Sequence, residues 1–349
     1  MDKKASLASR IGPALLPLCG IVLLIIINII GDLLRDPSPG IFGPGAFLHI
    51  EWRAGVGLIG AVIDILNHSS KIIILALGMS IVIATRGIDL SVGSIMAVAG
   101  AIAATLTVSG MPALAAIGIA LAASIACGVW NGALVAGLRL QPFVATLVLM
   151  VAGRGIAQMI TDGQVVTFQD PLLAYLGNGR PAWLPLPMPL LIALALLAMT
   201  ALVTRRTAIG MLIEVVGDNP RAARLSGVRA GTIIAGAYAF SGLCAGVAGL
   251  IAASNIKAAD PHHAGLMLEL SAIFAVVVGG GSLSGGRFSL LGAALGGVLM
   301  QTLTATMYAR NVSAEVAPLP VAMIILLVCI AGSPAAREWW RSRRRGVPV

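Results

Sequence analysis

The chain has 349 residues, of which 58% are hydrophobic and only 11% are charged. Soluble domains carry about 25% charged residues, so this composition excludes a water-soluble globular protein and predicts an integral membrane protein. Abundant glycine and only 4% aromatic residues favour closely packed membrane helices over a β-barrel with aromatic girdles. The net charge of +9 lies in hydrophilic segments beside apolar runs, which is typical of membrane topology signals and not of nucleic-acid binding.

Ten apolar runs follow one another along the chain, most of them near the length of about 17–25 residues that a membrane span needs. We expect the first run to be a retained helix and not a signal peptide, because it is long enough to span and no small-residue cleavage site follows it. The second and eighth runs are the least clear. The runs are 12–31, 56–85, 90–108, 111–138, 142–161, 187–204, 231–254, 266–281, 288–309 and 317–333.

Basic residues predict the orientation of these runs, since Lys and Arg are enriched in cytoplasmic loops. With a cytoplasmic N-terminus, every strongly basic segment falls inside, which predicts ten spans with both termini in the cytoplasm. The inside segments are then 1–10, 86–89, 139–141, 205–229, 282–289 and 332–349, and the outside segments are 32–55, 109–110, 162–186, 255–269 and 310–316.

The stretch TRGIDLSVGS, residues 85–94, interrupts two apolar runs. One interpretation is a turn that holds Arg86 and Asp89 among lipid headgroups. The other is irregular backbone inside the protein, which needs internal partners for its freed polar groups and makes Asp89 a functional candidate.

A similar order of apolar run, glycine-rich break and small-residue helix recurs in IFAVVVGGGSLSGGRFSLLGAALGGVL, and it predicts two pseudo-repeated halves.

Other polar stretches favour structural roles. GGGSLSGGR, residues 279–287, lacks the lysine of a phosphate-binding loop, so we expect a tight connection between two spans. Asp260, His262 and His263 are expected to be solvated loop residues. The sequence shows no catalytic constellation and no metal site, which argues against an enzyme. Glycines four residues apart predict close packing between helices; the pairs are Gly128/Gly132, Gly242/Gly246 and Gly292/Gly296.

The long inside segment RRTAIGMLIEVVGDNPRAARLSGVRAG predicts a short cytoplasmic helix. Asn219 is suited to cap it, and Pro220 suits its first position because that amide has no partner within the helix. Gly227 is placed to end the helix. As the only sizeable inside loop, this segment is the candidate contact with a cytoplasmic partner.

Four stretches give the chain a family resemblance over most of residues 60–300. It resembles the sugar permease family of bacterial ABC importers that includes the ribose, arabinose and xylose permeases. IDILN, GQVVTF, SGLCAG and AGLMLEL are most similar to the galactofuranose subgroup. The family stretches are GMSIVIATRGIDLSVGSIMAVAG, WNGALVAGLRLQPFVATLVLMVAGRGIAQ, TAIGMLIEVVGDNPRAARLSGV and FAVVVGGGSLSGGRFSLLGAALGG.

The resemblance implies an all-α permease, a single domain over residues 1–349, in the bacterial inner membrane. It implies passage of a monosaccharide from a periplasmic binding protein to the cytoplasm, with ATP and Mg bound by a separate ATPase. A second permease chain, identical or paralogous, is also implied. The alternative is an ion-coupled secondary transporter of a small polar solute, which needs an acid in the bilayer. Its candidates, Asp64, Asp89 and Glu269, fall near predicted span ends.

The resemblance also assigns two groups of site residues. The loop at about 205–230 is implied to dock on the ATPase through Glu214, Gly217, Asn219, Pro220, Arg221, Ala222, Ala223 and Gly227. The helix break and translocation path are assigned to Gly87, Asp89, Ser91, Gly93, Asn131, Gln141, Gly280, Gly281 and Ser282. The loop 32–55 is a candidate contact for the binding protein.

Overall fold

The computed structural model describes residues 3–33, 47, 49–53, 57–181 and 184–313, with 316, 319, 322, 323 and 326 beyond them. The helices are α1 (Lys3–Leu33), α2 (Ala61–Ala84), α3 (Val92–Val108), α4 (Ala113–Gly132), α5 (Pro142–Ile160), α6 (Pro171–Asn178), α7 (Met188–Arg206), α8 (Ala208–Asp218), α9 (Pro220–Leu225), α10 (Ala230–Ile256), α11 (Leu268–Val278) and α12 (Leu290–Ala309). A π-helical turn, Ala133–Gly137, extends α4. Antiparallel pairs join β1 (Glu51–Arg53) to β2 (Gly57–Ile59) and β3 (Val166–Thr167) to β4 (Ala258–Ala259).

The protein is an all-α multi-pass membrane protein, as its composition predicts. Within the described part of the chain, seven helical segments are long and apolar enough to span a membrane: Ala14–Asp32, Ala61–Ala84, Ala113–Gly137, Pro142–Ile160, Met188–Arg206, Ala230–Ile256 and Leu290–Ala309. The shorter apolar helices α3 and α11 match two further predicted runs. The tenth run, 317–333, lies almost entirely outside the described residues, as does most of the loop 32–55.

The chain falls into two compact units, Met1–Gln301 and Thr302–Val349, with the division inside α12. In the first unit α10 packs against α2, α3 and α4. The contact with α4 is close because a Cβ on Gly132 would lie 2.8 Å from Ala235 Cα, and one on Gly242 would lie 3.0 Å from Gly128 Cα. Likewise, a Cβ on Gly296 would lie 2.8 Å from Ala275 Cα. The close packing predicted from the glycine pairs is therefore confirmed.

The third and eighth predicted spans form helices that are shorter than their apolar runs. The α3 helix has 17 residues and α11 has 11, which at about 1.5 Å per residue cover roughly 26 and 17 Å, less than the hydrocarbon core. The physical reason is that the chain enters each helix by a non-helical segment that runs into the protein. Asp89 before α3 reaches Ser241, near the middle of α10, and Gly265 before α11 contacts Gly93.

Loops that the charge distribution predicts to share a side do meet. Among the predicted inside segments, the Arg86 guanidinium donates to Gly217 O (2.5 Å). Among the predicted outside segments, β3 pairs with β4 and His262 Nε2 lies 3.1 Å from Gly163 O. The helices thus carry two distinct loop clusters, one at each end of α10.

Candidate functional site

The break between α2 and α3 keeps its backbone groups bonded inside the protein. Leu90 N donates to the Thr146 hydroxyl (3.2 Å), and the Tyr238 phenol donates to Ile88 O (3.4 Å). Broken backbone is tolerated at membrane depth only where protein supplies such partners. Residues 85–91 are therefore irregular backbone within the protein.

Asp89 lies at the centre of a polar network that also contains Ser91, Asn131 and Ser241. None of these four residues has any exposed area. One carboxylate oxygen accepts from the Ser91 hydroxyl (2.6 Å) and from Ser91 N (3.0 Å). The other accepts from the Ser241 hydroxyl (2.8 Å). Asn131 Nδ2 donates to Ser91 Oγ (2.8 Å). The network ties the start of α3 to α4 and α10, and a headgroup location for Asp89 is wrong.

The acids considered for ion coupling are only partly where the sequence predicts them. Asp64 lies in the first turn of α2 and is exposed, as expected for a span end. Asp89 is fully buried and Glu269 is 8% exposed, with its carboxylate beside Gly93. These two acids do lie at the starts of α3 and α11, as predicted, but both helices begin inside the protein, so the carboxylates are buried. Both oxygens of Asp89 already accept hydrogen bonds from serine.

The remaining candidates for the break and path are spread over the protein. Gly87 lies against Tyr238, since a Cβ there would be 2.5 Å from the phenol oxygen. Gly93 packs on Gly265. The others do not join the Asp89 network: Gln141 is exposed at the start of α5, and Gly280, Gly281 and Ser282 form the turn after α11. The structure thus groups only Gly87, Asp89, Ser91 and Asn131.

The short helix α9 forms as the sequence predicts. Asn219 Oδ1 accepts from Arg221 N and from Ala222 N, each at 3.1 Å, which caps the N-terminus. Pro220 is the first helical residue. Gly227 follows the last turn with φ of +82°, a conformation that glycine adopts without steric cost.

The α8–α9 segment presents one face outward and one face to the rest of the protein. Its exposed side chains include Met211, Glu214, Arg221, Ala222, Arg224 and Leu225. Leu225 is 91% exposed, and the sequence analysis missed it, although an apolar residue on a solvated helix face was a usable signal. Ala223 is 1% exposed and packs with Val216 and Ala230. The expectation that Ala223 contacts a partner directly is therefore wrong, because this side of α9 packs on the rest of the protein.

Gly217 packs α8 against the end of α2. A Cβ on Gly217 would overlap Ala84 O and lie 2.6 Å from Gly286 N, and Gly286 N donates to Ala84 O (3.0 Å). The 279–287 stretch, predicted to be a tight connection, turns through Gly280 and Gly285 with φ of +84° and +83°. Three predicted inside segments therefore meet at Gly217.

At the other end, the loop after β4 is tied to α5. Asp260 Oδ1 accepts from His262 N (2.9 Å) and His263 N (3.1 Å), and Arg154 donates to Ala264 O (2.6 Å). Burial by itself raises the pKa of Asp260, but the hydrogen bonds from His263 and His262 outweigh it and lower this pKa. His263 remains 78% exposed. This loop is exposed to solvent and is held in place by hydrogen bonds.

Comparisons with known proteins agree with this architecture. The chain is 50% identical over 276 residues to the galactofuranose transporter permease of Escherichia coli K12, covering 79% of this chain and 80% of that protein. It is 42% identical over 294 residues to the fructose import permease of Bifidobacterium longum, covering 82% of each. It is 37% identical over 276 residues to the ribose import permease of E. coli K12, covering 78% and 85%. No solved structure matches the chain.

A family profile describes the same region. It is that of the branched-chain amino acid transport system permease component, and it matches residues 61–331. The matched region begins at α2 and includes the break, the α8–α9 segment and the turn at Gly280. The chain therefore belongs to this family of transport permeases.

Proposed function

We propose that this chain is the membrane subunit of an ABC importer that moves a monosaccharide in its furanose form, galactofuranose first. The observation that carries the proposal is the 50% identity to a galactofuranose transporter permease across most of both chains. The fructose and ribose import permeases are further relatives, and their printed substrates are also monosaccharides. The family description names branched-chain amino acids, but the nearer similarities favour a sugar.

The α8–α9 segment supports a coupling role in such a system. Its helix α9 is capped by Asn219, and the segment packs on the permease through Ala223 and Gly217. The exposed face of α9 carries Arg221, Arg224 and Leu225. We propose that this face docks on a separate ATPase, which binds ATP and Mg. A periplasmic binding protein delivers the sugar, and a second permease chain completes the membrane unit in the bacterial inner membrane.

ATP-driven uptake into proteoliposomes tests the substrate and the energy source. The permease is reconstituted with the ATPase and binding protein encoded beside it, and uptake of labelled galactose is measured. We expect competition by methyl galactofuranoside, which is locked in the five-membered ring, and none by methyl galactopyranoside. Competition by the pyranoside alone would contradict the furanose proposal. Uptake driven by a sodium or proton gradient without ATP would favour the ion-coupled alternative.

Leu225→Glu is expected to weaken ATPase binding without harming the permease. An apolar side chain that is 91% exposed contributes little to the fold, but an anchor in a partner's groove is worth about 2 kcal/mol or more, which is at least about thirtyfold in affinity. Co-purification of the ATPase with tagged permease measures the effect. Leu266→Glu is the matched control, since Leu266 is 57% exposed in the turn before α11, away from this segment. Equal ATPase recovery in both variants would show that α9 does not dock.

Cysteine labelling in intact cells tests the orientation. All four native cysteines, Cys19, Cys127, Cys244 and Cys329, are first replaced by alanine. Single cysteines at Ser226 and His263, both exposed, then report the two ends of the protein. We expect an impermeant thiol reagent to reach position 263 but not position 226, because the basic loop is cytoplasmic. Labelling at position 226 but not at position 263 would show the opposite orientation in the membrane.

A further inference from the structure

Arg86 combines an unfavourable backbone conformation with a specific use of its side chain. Its φ is +66°, in the left-handed region that is unfavourable for a residue with a Cβ. Its Nε donates to Gly217 O (2.5 Å) and its Nη2 donates to Asp218 O. These carbonyls belong to the last turn of α8, where a helix has unpaired acceptors and partial negative charge. The guanidinium therefore caps the coupling segment from the end of α2.

Backbone contacts from the turn after α11 support this interaction. Gly286 N donates to Ala84 O (3.0 Å), and a Cβ on Gly285 would overlap Arg86 Cγ and lie 2.8 Å from Gly217 O. We call Ala84, Arg86, Gly217, Asp218, Gly285 and Gly286 the junction. The backbones of α8 and the end of α2 touch directly at Gly217 and Ala84, so a displacement of α8 is passed to the residues beside Arg86.

The chain from Arg86 to Asp89 is held equally firmly. Gly87 N donates to Val82 O (3.0 Å), and Ile88 O accepts from Tyr238. Asp89 then joins the buried serine and asparagine side chains at the start of α3. Contacts are thus continuous from the exposed face of α9 to the buried break.

We propose that Arg86 is a positioning residue that makes the α8–α9 segment and the Asp89 break move together, so that motion of the ATPase reaches the interior of the permease. The proposal rests on the proposed function. It also explains the backbone conformation, because glycine fits φ of +66° without cost but has no guanidinium for Gly217 and Asp218.

Arg86→Gly is the test variant, because it permits the same backbone and removes only the side chain. Arg139→Gly is the matched control: Arg139 also has positive φ, +57°, is exposed on a predicted inside loop, and is outside the junction. Hydrogen exchange of the purified permease, without ATPase, is followed in 84–91, 215–219 and 282–287. We expect about tenfold faster exchange in all three segments for Arg86→Gly, because two hydrogen bonds from a charged group are lost and the relief of the backbone conformation offsets only part of that loss. If Arg86→Gly exchanged faster only in residues 84–87, the proposed junction would be overturned. An equal increase in Arg139→Gly would overturn it as well.

The second measurement is the number of sugars transported per ATP hydrolysed by the complete complex. We expect Arg86→Gly to bind the ATPase normally but to transport about tenfold less sugar per ATP. Arg86→Lys should recover part of this ratio, since an ammonium reaches one carbonyl but lacks the planar fork. An unchanged ratio, or loss of ATPase binding, would overturn the coupling role. Absence of ATP-driven uptake by the wild-type complex would instead refute the proposed function, and the exchange measurement would still decide whether the junction exists.

Discussion

Asp89→Leu is expected to abolish uptake and to lower the thermal stability of the purified permease. Leucine removes the acceptor of three hydrogen bonds. Ser91 N, the Ser91 hydroxyl and the Ser241 hydroxyl then remain buried without an acceptor. Each unsatisfied buried donor costs about 1–3 kcal/mol, which together is a large part of a typical stability of about 5–15 kcal/mol. Uptake into proteoliposomes and the midpoint of thermal aggregation in detergent measure the two effects.

Two further variants separate the carboxylate from a general effect of losing an acid. Asp89→Asn keeps one acceptor oxygen of similar shape, so we expect an intermediate loss. Asp64→Leu removes an exposed acid from the first turn of α2, where the helix-dipole contribution is only about 0.3–1 kcal/mol, and should transport nearly normally. If Asp89→Leu melted and transported like Asp64→Leu, the buried network would not hold the break.

Gly217→Ala is expected to lower coupled transport strongly, although alanine is the better helix former by about 1 kcal/mol. The added Cβ overlaps Ala84 O and approaches Gly286 N to 2.6 Å. Both obstacles are backbone atoms, so the clash is relieved only if α8 moves away from α2. Sugar uptake and substrate-stimulated ATP hydrolysis should both fall, by about tenfold or more for a clash worth at least 1.4 kcal/mol.

Gly231→Ala is the matched control for this change. Gly231 lies in the first turn of α10, close to the same loop in sequence, but its added Cβ would meet its nearest neighbours, Ala136 Cβ and O, at 3.8 and 4.0 Å. These are ordinary contacts, so we expect wild-type uptake. Wild-type activity of Gly217→Ala would mean that the approach of α8 to α2 is not needed for coupling.

Local signals in the sequence predicted the helix α9 well. A capping asparagine followed by proline and a later glycine is sufficient to place α9, because each acts through its own backbone within one helical turn. The same reasoning was wrong for Ala223, whose burial depends on Val216 and Ala230. Which side of a short helix faces the permease is decided by the elements that it packs on, and a six-residue helix is too short to show this in its pattern.

The sequence by itself determined the class of protein, nearly all of the membrane helices and the resemblance to transport permeases, because apolar length, charge distribution and motif order are properties of the linear chain. Only the tertiary structure decided the depth of Asp89 and Glu269 and the shortness of α3 and α11, since hydropathy does not distinguish a polar turn at the surface from one that folds inward. It also decided the contacts of Arg86, whose partners Gly217 and Asp218 are more than a hundred residues away. Such contacts arise from helix packing, in which glycine backbones meet at distances that no local pattern of the sequence specifies.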